Sequence, residues 1–241
     1  MERSYGADYA KLHRYHWWWR AREAILLREI AGLGLPPPDL TAILDVGCGN
    51  GLFLPALERF GRPTGLEVER ELVREDAPLR DRIRHEALGD PYWEGRDFDL
   101  VLALDVIEHI PDDRRFTELL AARVRPGGFL FVTVPAFPIL WDAHDERNHH
   151  QRRYRRRGLE GLLGAHGELV TVRHLFPSLF GAKLALAWRN RRARAPIEQA
   201  VLPSRRTSAV LAGWLRVEDR VLGPLGLPFG SSLLAVVRRP A

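Results

Sequence analysis

Cysteine is nearly absent, since Cys48 is the only one among 241 residues. A lone cysteine excludes an intrachain disulfide and a zinc cluster built on several cysteine ligands. Long hydrophobic runs are also missing, because no uncharged apolar stretch approaches the ~18–20 residues of a membrane-spanning helix. The first residues mix charged and aromatic side chains and lack the apolar core of a signal peptide. These absences predict a cytoplasmic protein, with membrane association limited to peripheral contact.

Charge is distributed unevenly along the chain. Residues 151–241 hold 17 basic against five acidic residues, a net charge of +12, whereas residues 1–150 carry −7. The composition is 46% hydrophobic and 28% charged, which is typical of a globular chain. The basic segment predicts that the protein acts on an anionic molecule or makes peripheral contact with an anionic membrane surface. Nucleic acid is less favoured, because the arginine clusters lack interleaved aromatic residues and no RNA-binding module accompanies them.

Alternating strand and helix patterns predict an α/β fold with a doubly wound sheet. Five apolar segments separated by helical patterns indicate a parallel core, namely 42–46, 64–68, 83–88, 99–106 and 129–134. One of the intervening helices is predicted at 69–80. Two further strands are predicted at 168–176 and 231–237, with amphipathic helices between them at 178–188 and 208–222.

We predict a single domain with four parts. Residues 1–38 form an N-terminal helical cap that acts as a lid, and residues 39–176 form the cofactor-binding core. Residues 177–230 form a helical insertion that contacts substrate or closes the site, and residues 231–241 form the last strand. The tryptophans Trp17–Trp19 are interpreted as a core or lid anchor in preference to a substrate cage. The oligomeric state stays open.

A glycine-rich loop follows the first predicted strand. In residues 47–51, Gly47-Cys48-Gly49-Asn50-Gly51, the glycines permit a tight turn and let backbone amides approach a ligand closely. Glu67 stands at the tip of the next strand, where an acid can accept both ribose hydroxyls. Leu52 breaks the Gly-x-Gly-x-x-Gly spacing of dinucleotide-binding loops, and no Gly-Lys-Ser/Thr follows. The pattern therefore favours an adenosine-type nucleoside without a pyrophosphate.

Residues 43–51 resemble the first motif of class I S-adenosylmethionine-dependent methyltransferases. The similarity continues in the right order to residue 137, through Gly65-Leu66-Glu67, Phe98-Asp99-Leu100-Val101, Asp105-Val106-Ile107-Glu108-His109 and Arg125-Pro126-Gly127-Gly128. It implies S-adenosyl-L-methionine as co-substrate and a Rossmann-like seven-stranded sheet, mostly parallel, with the last strand antiparallel. The implied cofactor-binding residues are Asp45, Gly47, Cys48, Gly49, Asn50 and Gly51 at the methionine end, Glu67 at the ribose, Glu86 and Ala87 at the adenine, and Leu104 and Asp105 on the floor.

Three histidines are candidate catalytic bases or substrate contacts: His109, His150 and His144. His109 lies just past the carboxyl end of the fourth strand, where ligands bind in open sheets; the competing interpretation is a packing or capping residue. His144 and His150 follow the fifth strand. His150-Gln151-Arg152-Arg153-Tyr154 resembles a His-x-Arg-Arg-Tyr motif found in a bacterial subgroup of these methyltransferases.

A metal is an open alternative, although we predict no metal ligand. Asp105, Glu108, His109 and His150 resemble the Glu-x-x-Glu-His…His ligands of a metal-dependent RNA 2′-O-methyltransferase family and a related motif in quinone-ring O-methyltransferases. Oxygen and imidazole ligands would suit Mg²⁺, Mn²⁺ or Zn²⁺. The first ligand is Asp105 in place of glutamate, which has a longer arm.

The predicted function is transfer of a methyl group from S-adenosyl-L-methionine to a small-molecule or lipid-like acceptor, with oxygen as the favoured atom. One alternative is a metal-assisted RNA 2′-O-methyltransferase. The other is a protein that binds S-adenosylmethionine without turnover, because an intact cofactor motif does not by itself establish chemistry.

Overall fold

The computed structural model describes residues 13–193 and 203–241, so parts of the predicted cap (1–12) and insertion (194–202) lie outside the described residues. The described strands are β1 (Ala42–Val46), β2 (Arg62–Leu66), β3 (Ile83–Arg84), β4 (Phe98–Leu104), β5 (Val124–Pro135), β6 (Glu168–Leu175) and β7 (Ser232–Arg238). The described helices are α1 (Trp17–Ala31), α2 (Leu54–Leu57), α3 (Asp113–Ala122), α4 (Ala143–Arg147), α5 (Arg156–Leu163), α6 (Pro177–Ala193) and α7 (Arg205–Leu222).

The seven strands form one sheet in the order β3-β2-β1-β4-β5-β7-β6. Strands β1 to β5 pair in parallel, and β7 runs antiparallel to both β5 and β6. The predicted Rossmann-like sheet with an antiparallel last strand is confirmed. The chain reverses its direction of winding between β1 and β4, so a crevice opens at the carboxyl ends of these two strands.

Two hydrophobic clusters cover the two faces of the sheet. Successive residues of β4 alternate between them, because side chains along a strand point to opposite faces. One face packs against α3 and α5, and the other packs against α1 and α7. Helix α1 contributes Ile25, Leu26 and Ile30, which are at most 2% exposed. The N-terminal helix is therefore part of the core.

A network of charged side chains ties α1 to the C-terminal half of the chain. The Arg28 guanidinium lies 2.5 Å from the Asp219 carboxylate of α7. Arg173 on β6 contacts both Asp219, at 2.7 Å, and Glu29 of α1, at 3.0 Å. These ion pairs join the N-terminal helix α1 to β6 and α7.

The helix predicted at 69–80 is wrong. The structure has only single 3-10 turns there, at Arg70–Leu72 and Arg80–Arg82. Most side chains from 69 to 76 are exposed, so an α-helix would have no apolar face to bury, and Pro78 removes a backbone donor. The third strand is also shorter than predicted, with two residues in place of six.

Within residues 13–193 and 203–241, no helix is long and apolar enough to cross a membrane.

Candidate active site

The glycine loop leaves β1 at the crevice and is held against β2. The backbone N–H groups of Gly47 and Cys48 both donate to the Leu66 carbonyl, at 2.8 and 3.1 Å. Gly47 has a φ of +70°, and a Cβ there would lie 2.6 Å from a methyl group of Val106. Gly51 has a φ of +66° and would place a Cβ 2.8 Å from the Ile83 side chain. Glycine is therefore required at both positions for conformational and steric reasons.

Two buried acids flank this loop at the ends of β1 and β2. The Glu67 carboxylate accepts hydrogen bonds from the backbone N–H groups of Gly49 and Glu69, both at 3.0 Å. Burial raises the pKa of Glu67 despite these hydrogen bonds. Burial also raises the pKa of Asp45 to about 7; nearby Arg22 opposes this shift and Glu67 adds to it. The pair provides acceptors and negative potential where the predicted cofactor presents hydroxyl groups and positive charge.

The other predicted residues of the loop have structural partners. The Asn50 side-chain oxygen accepts a hydrogen bond from the Arg74 backbone N–H at 2.9 Å. Burial, together with Asp45 and Glu67, raises the pKa of the Cys48 thiol well above its usual range. Cys48 is therefore a protonated, unreactive thiol, in agreement with its interpretation as a small residue that fits the turn.

The predicted adenine and floor residues lie at the same edge of the sheet. Glu86 and Ala87 follow β3, and the Glu86 carbonyl accepts a hydrogen bond from the Trp93 indole at 3.1 Å. Leu104 is the last residue of β4, and Asp105 follows it with a φ of +58°. Their contacts with a cofactor stay a prediction.

Arg22 is a site residue that the sequence analysis missed. It lies on the buried face of α1, and its guanidinium donates to the Asp105 carboxylate at 2.8 Å and the Thr133 hydroxyl at 2.9 Å. The rings of Trp18 and Trp19 lie 5.5 and 5.7 Å from it. The sequence contains a signal for Arg22, because position 22 shares a helical face with the core residues Ile25 and Leu26.

The three predicted histidines come together at the carboxyl end of the sheet. The His109 and His150 rings meet edge to face with their centroids 4.6 Å apart. His144 approaches His150 in the same manner, with a centroid distance of 6.3 Å. Only the folded chain brings these residues together, since 35 residues separate His109 from His144.

His150 is oriented by a buried ion pair. Its Nδ1 lies 2.7 Å from the Asp145 carboxylate, which also receives two hydrogen bonds of 2.8 Å from Arg153. The hydrogen bonds from His150 and Arg153 hold the pKa of Asp145 well below its usual range, although burial acts in the opposite direction. An ionised Asp145 places the His150 proton on Nδ1, so Nε2 is available as an acceptor or a metal ligand.

The surroundings of His109 and His144 favour the neutral form. Burial, followed by the electrostatic effect of the neighbouring His150, lowers the pKa of His109 to about 4. Partial desolvation and the neighbouring Lys183 lower the pKa of His144, which lies at the solvent-exposed edge of the cluster. Near neutral pH both imidazoles therefore offer a free lone pair.

The His-x-Arg-Arg-Tyr segment supports this arrangement. Arg153 holds Asp145, as described above, and the Tyr154 hydroxyl donates to Asp113 at 2.8 Å. Arg152 lies 2.7 Å from the same Asp113 carboxylate. Three side chains of the segment thus anchor the loop that carries His150 to α3 and α4.

Glu108 completes a set of ligands that could hold a cation. Its side chain is fully buried, and neither carboxylate oxygen has a hydrogen-bond partner among the described residues. Burial and the charge of Asp105 raise its pKa. Glu108, His109 and His150 each offer one potential ligand atom, a carboxylate oxygen or an imidazole nitrogen. These three atoms lie within 4.8 Å of one another. Two imidazoles and a carboxylate fit a divalent transition-metal ion, which would favour ionised Glu108.

Asp105, the first residue of the predicted metal motif, is not in this group. Its carboxylate contacts Arg22 and Thr133 instead. The prediction that no metal is bound stays a prediction.

Strained backbone lies close to the same site. Among the non-glycine residues with positive φ, Asp105, Phe137 and His149 have values of 58°, 57° and 56°. Each of them adjoins a strand end or a loop that carries a candidate site residue. Such conformations cost free energy and persist where surrounding contacts impose them, which is common at functional sites.

Known proteins share both sequence and fold with this chain. A family model described as a methyltransferase domain matches residues 18–171. A ubiquinone biosynthesis O-methyltransferase of Methylobacterium sp. (strain 4-46) is 35% identical over 107 residues, which cover 42% of this chain and 43% of that protein. The same-named protein of Chelativorans sp. (strain BNC1) is 36% identical over 100 residues, covering 37% and 38%. The matches thus span about two fifths of the length of these curated relatives.

One solved structure illustrates the similarity of fold. The N-methyltransferase NodS from Bradyrhizobium japonicum WM9, in complex with S-adenosyl-L-homocysteine, superposes with a TM-score of 0.59. The alignment covers 96% of this chain and 91% of that one at 16% identity. At this identity the comparison shows a shared fold alone.

Proposed function

Because the chain belongs to the methyltransferase-domain family, we propose that it transfers a methyl group from S-adenosyl-L-methionine to a small-molecule or lipid-like acceptor, with oxygen as the nucleophile. One observation carries the proposal. The histidine cluster lies beside Asp105, the floor of the predicted cofactor site, because Asp105 follows β4 and the turn Ile107–His109 comes directly after it. An acceptor between them would face both a base and the methyl donor. The curated relatives support a small-molecule acceptor and do not favour RNA.

The cofactor is placed by the loop and the acids around it. Residues 47–51 approach the methionine end with backbone amides, and Glu67 accepts hydrogen bonds from the ribose hydroxyls. Asp45 and Asp105 provide negative potential for the sulfonium and ammonium groups, which attracts the cationic donor to the crevice. Glu86 and Ala87 border the adenine.

The chemistry then requires alignment and removal of a proton. The acceptor oxygen forms a bond to the methyl carbon as the carbon–sulfur bond breaks, and the bonding pair leaves with sulfur as S-adenosylhomocysteine. The hydroxyl proton passes to a neutral imidazole, for which we propose His150 Nε2, with His109 beside it and His144 at the edge. In-line placement at near-attack distance supplies much of the acceleration, and the base supplies the remainder.

A divalent cation is a second candidate component of this site, because the buried Glu108 carboxylate has no hydrogen-bond partner among the described residues. Glu108, His109 and His150 would hold the ion. When bound, it would lower the pKa of an acceptor hydroxyl. In that case Asp145 fixes the tautomer of a ligating histidine.

The proposed function is tested by measuring cofactor binding and turnover separately. Binding of S-adenosylmethionine and S-adenosylhomocysteine is measured by calorimetry. Formation of S-adenosylhomocysteine is then followed with catechols, phenols and carboxylic acids, each with EDTA and with added Mg²⁺, Mn²⁺ or Zn²⁺. Acceptor-dependent turnover is expected. Tight binding without turnover across the panel would contradict it and support the alternative of a binding protein.

We further propose that α1 is a lid on the cofactor site, linked to it through Arg22. Arg22→Ala is expected to lower the free energy of unfolding by ~1–3 kcal/mol, because it leaves the partly buried Asp105 without its cation. It is also expected to weaken S-adenosylhomocysteine binding. The matched control is Arg20→Ala, at an exposed position of the same helix. Equal affinities for the two variants would contradict the lid.

Peripheral contact with an anionic membrane is proposed for the outer face of α7. Val210, Trp214, Val217 and Val221 form an exposed apolar stripe at helical spacing, each more than half exposed, and the exposed Arg206 and Arg220 border it. Apolar side chains with flanking arginines suit the interface of an anionic bilayer. This contact would give a cytoplasmic protein access to a lipid-like acceptor.

The membrane proposal predicts that Trp214→Ser with Val217→Ser reduces sedimentation with vesicles of phosphatidylglycerol and phosphatidylcholine. The matched control is Val170→Ser, which removes an exposed apolar side chain from β6. Wild-type protein that does not sediment, or a double variant that sediments as the control does, would contradict the contact.

A further inference from the structure

Lys183 is a cation on α6, the helix that packs against the turn Pro138–Leu140 between β5 and the histidine cluster. Its side chain is half-buried, and burial lowers its pKa; Arg153 acts in the same direction, whereas Asp142, Asp145 and Asp105 oppose the shift. Lys183 in turn lowers the pKa of His144. Phe180, three residues before Lys183 on the same helix, lies 5.1 Å from Phe137 just past the end of β5, so α6 passes beside the segment that leads to His144 and His150.

Each carboxylate near Lys183 is engaged by another group. Asp145 is bound by Arg153 and His150, and Asp105 is bound by Arg22, as described above. Asp142 caps α4 by accepting a hydrogen bond from the His144 backbone N–H at 2.8 Å. Within the described part of the chain, no hydrogen bond or ion pair is formed by the Lys183 ammonium. A desolvated ammonium without an anion is costly, so the site is suited to one supplied by a ligand.

An aromatic wall lies one helical turn from Lys183. We define it as Phe137, Phe180 and Phe229, which come from the end of β5, from α6 and from the segment before β7. The Phe180 ring lies 5.1 Å from Phe137 and 5.8 Å from Phe229. Phe137 is also stacked on His174 at 5.1 Å with an interplanar angle of 7°, which fixes its orientation. Phe180 and Lys183 share one face of α6, because residues three apart are neighbours on a helix.

We propose that Lys183 binds a carboxylate on the methyl acceptor while the flat apolar part of the acceptor lies against the aromatic wall. The inference rests on the proposed function and names its substrate class: an aromatic hydroxy acid. A positive charge beside a flat apolar surface is complementary to such a molecule, and the histidine cluster lies on the same side for the hydroxyl group. A neutral analogue would leave the Lys183 ammonium without an anion. The ion pair between Lys183 and the carboxylate therefore favours an acid over its ester.

Binding is tested directly at the lysine. The chain has two lysines, Lys11 and Lys183, so reductive methylation with ¹³C-formaldehyde gives two lysine NMR signals, and Lys183→Arg identifies the second. The protein is saturated with S-adenosylhomocysteine and titrated with 3,4-dihydroxybenzoate or its methyl ester. The acid is expected to shift the Lys183 signal and leave the Lys11 signal in place. A shift that is absent, or equal for acid and ester, would overturn the proposal.

A kinetic experiment separates this inference from the proposed function. With the acid, Lys183→Met is expected to raise KM by about tenfold or more, the loss typical of a charge-assisted hydrogen bond, and Lys183→Arg is expected to restore most of it. With the methyl ester, the two variants should have similar KM values. Turnover with no acid-specific change in Lys183→Met would refute the role of Lys183 and keep the methyltransferase. An NMR shift at Lys183 without any turnover would refute methyl transfer to this acceptor class and keep the binding site.

Discussion

Replacement of His150 by alanine is expected to lower kcat by ~10²–10⁴-fold, the range found when a general base is removed. His150 has the best-defined orientation in the cluster, because the Asp145 contact of 2.7 Å fixes its ring and directs Nε2 away from that carboxylate. The measurement is single-turnover methyl transfer with saturating cofactor and acceptor. Affinity for S-adenosylhomocysteine should change little, because His150 is not a predicted cofactor ligand.

The matched control for this prediction is His149→Asn. His149 is exposed and has a φ of 56°, a conformation that asparagine tolerates well. Its substitution should leave the single-turnover rate within about twofold, since the His149 side chain is exposed and asparagine keeps the local backbone conformation. Similar rates for His150→Ala and the control would contradict the assignment of His150 as the base.

A second variant, Glu108→Gln, tests whether methyl transfer depends on a divalent cation. If Glu108, His109 and His150 hold a divalent ion, EDTA should reduce the wild-type rate and Mn²⁺ or Mg²⁺ should restore it. Glu108→Gln should then need a higher metal concentration for the same recovery. A wild-type rate that is insensitive to EDTA would contradict a metal and assign the proton transfer to the histidines alone.

Replacement of Glu67 by alanine is expected to raise the Kd for S-adenosylhomocysteine by ~10–100-fold, which matches the loss of one or two hydrogen bonds to a charged acceptor. Glu67 has a second role, because its carboxylate accepts the Gly49 N–H and so holds the loop in shape. Calorimetry with S-adenosylhomocysteine measures the effect, because this product needs no acceptor.

The control for Glu67→Ala is Glu69→Ala, two residues away and exposed. Its Kd should stay within about twofold of the wild-type value. Thermal unfolding of both variants shows whether the loop is still folded. A folded Glu67→Ala protein with wild-type affinity would place the ribose elsewhere and contradict the proposed cofactor orientation.

The cofactor half of the site could be predicted from the sequence because it is largely local. The glycine loop follows a strand directly, and the acid at its partner strand lies only 16 residues beyond Gly51. Short segments are enough to predict such a strand and loop. Glycine conformation and the run of apolar residues in a buried strand can both be read from adjacent residues. The same reasoning fails at 69–80, where a polar segment between two strands predicts a helix but has no apolar surface to bury.

The acceptor half depends on contacts that no local pattern contains. Arg22 reaches Asp105 across 83 residues of chain, and Arg173 joins Glu29 across 144. Lys183 comes near His144 because α6 packs against the turn Pro138–Leu140, which follows β5. The residue type alone makes the histidines candidate bases. It does not reveal that Glu108, which lies beside them, is buried and has no hydrogen-bond partner among the described residues.

By itself, the sequence determined that this chain forms a doubly wound sheet with an adenosine-type cofactor loop, because strands buried on both faces and a glycine turn are encoded by adjacent residues. The tertiary structure alone decided which side chains share the catalytic space. It placed His109, His144 and His150 together, engaged Asp145 and Asp105 with arginines, and left Glu108 and Lys183 without partners among the described residues. The physical reason is that burial and electrostatic pairing depend on the packing of distant segments, which is settled only when the helices close over the sheet.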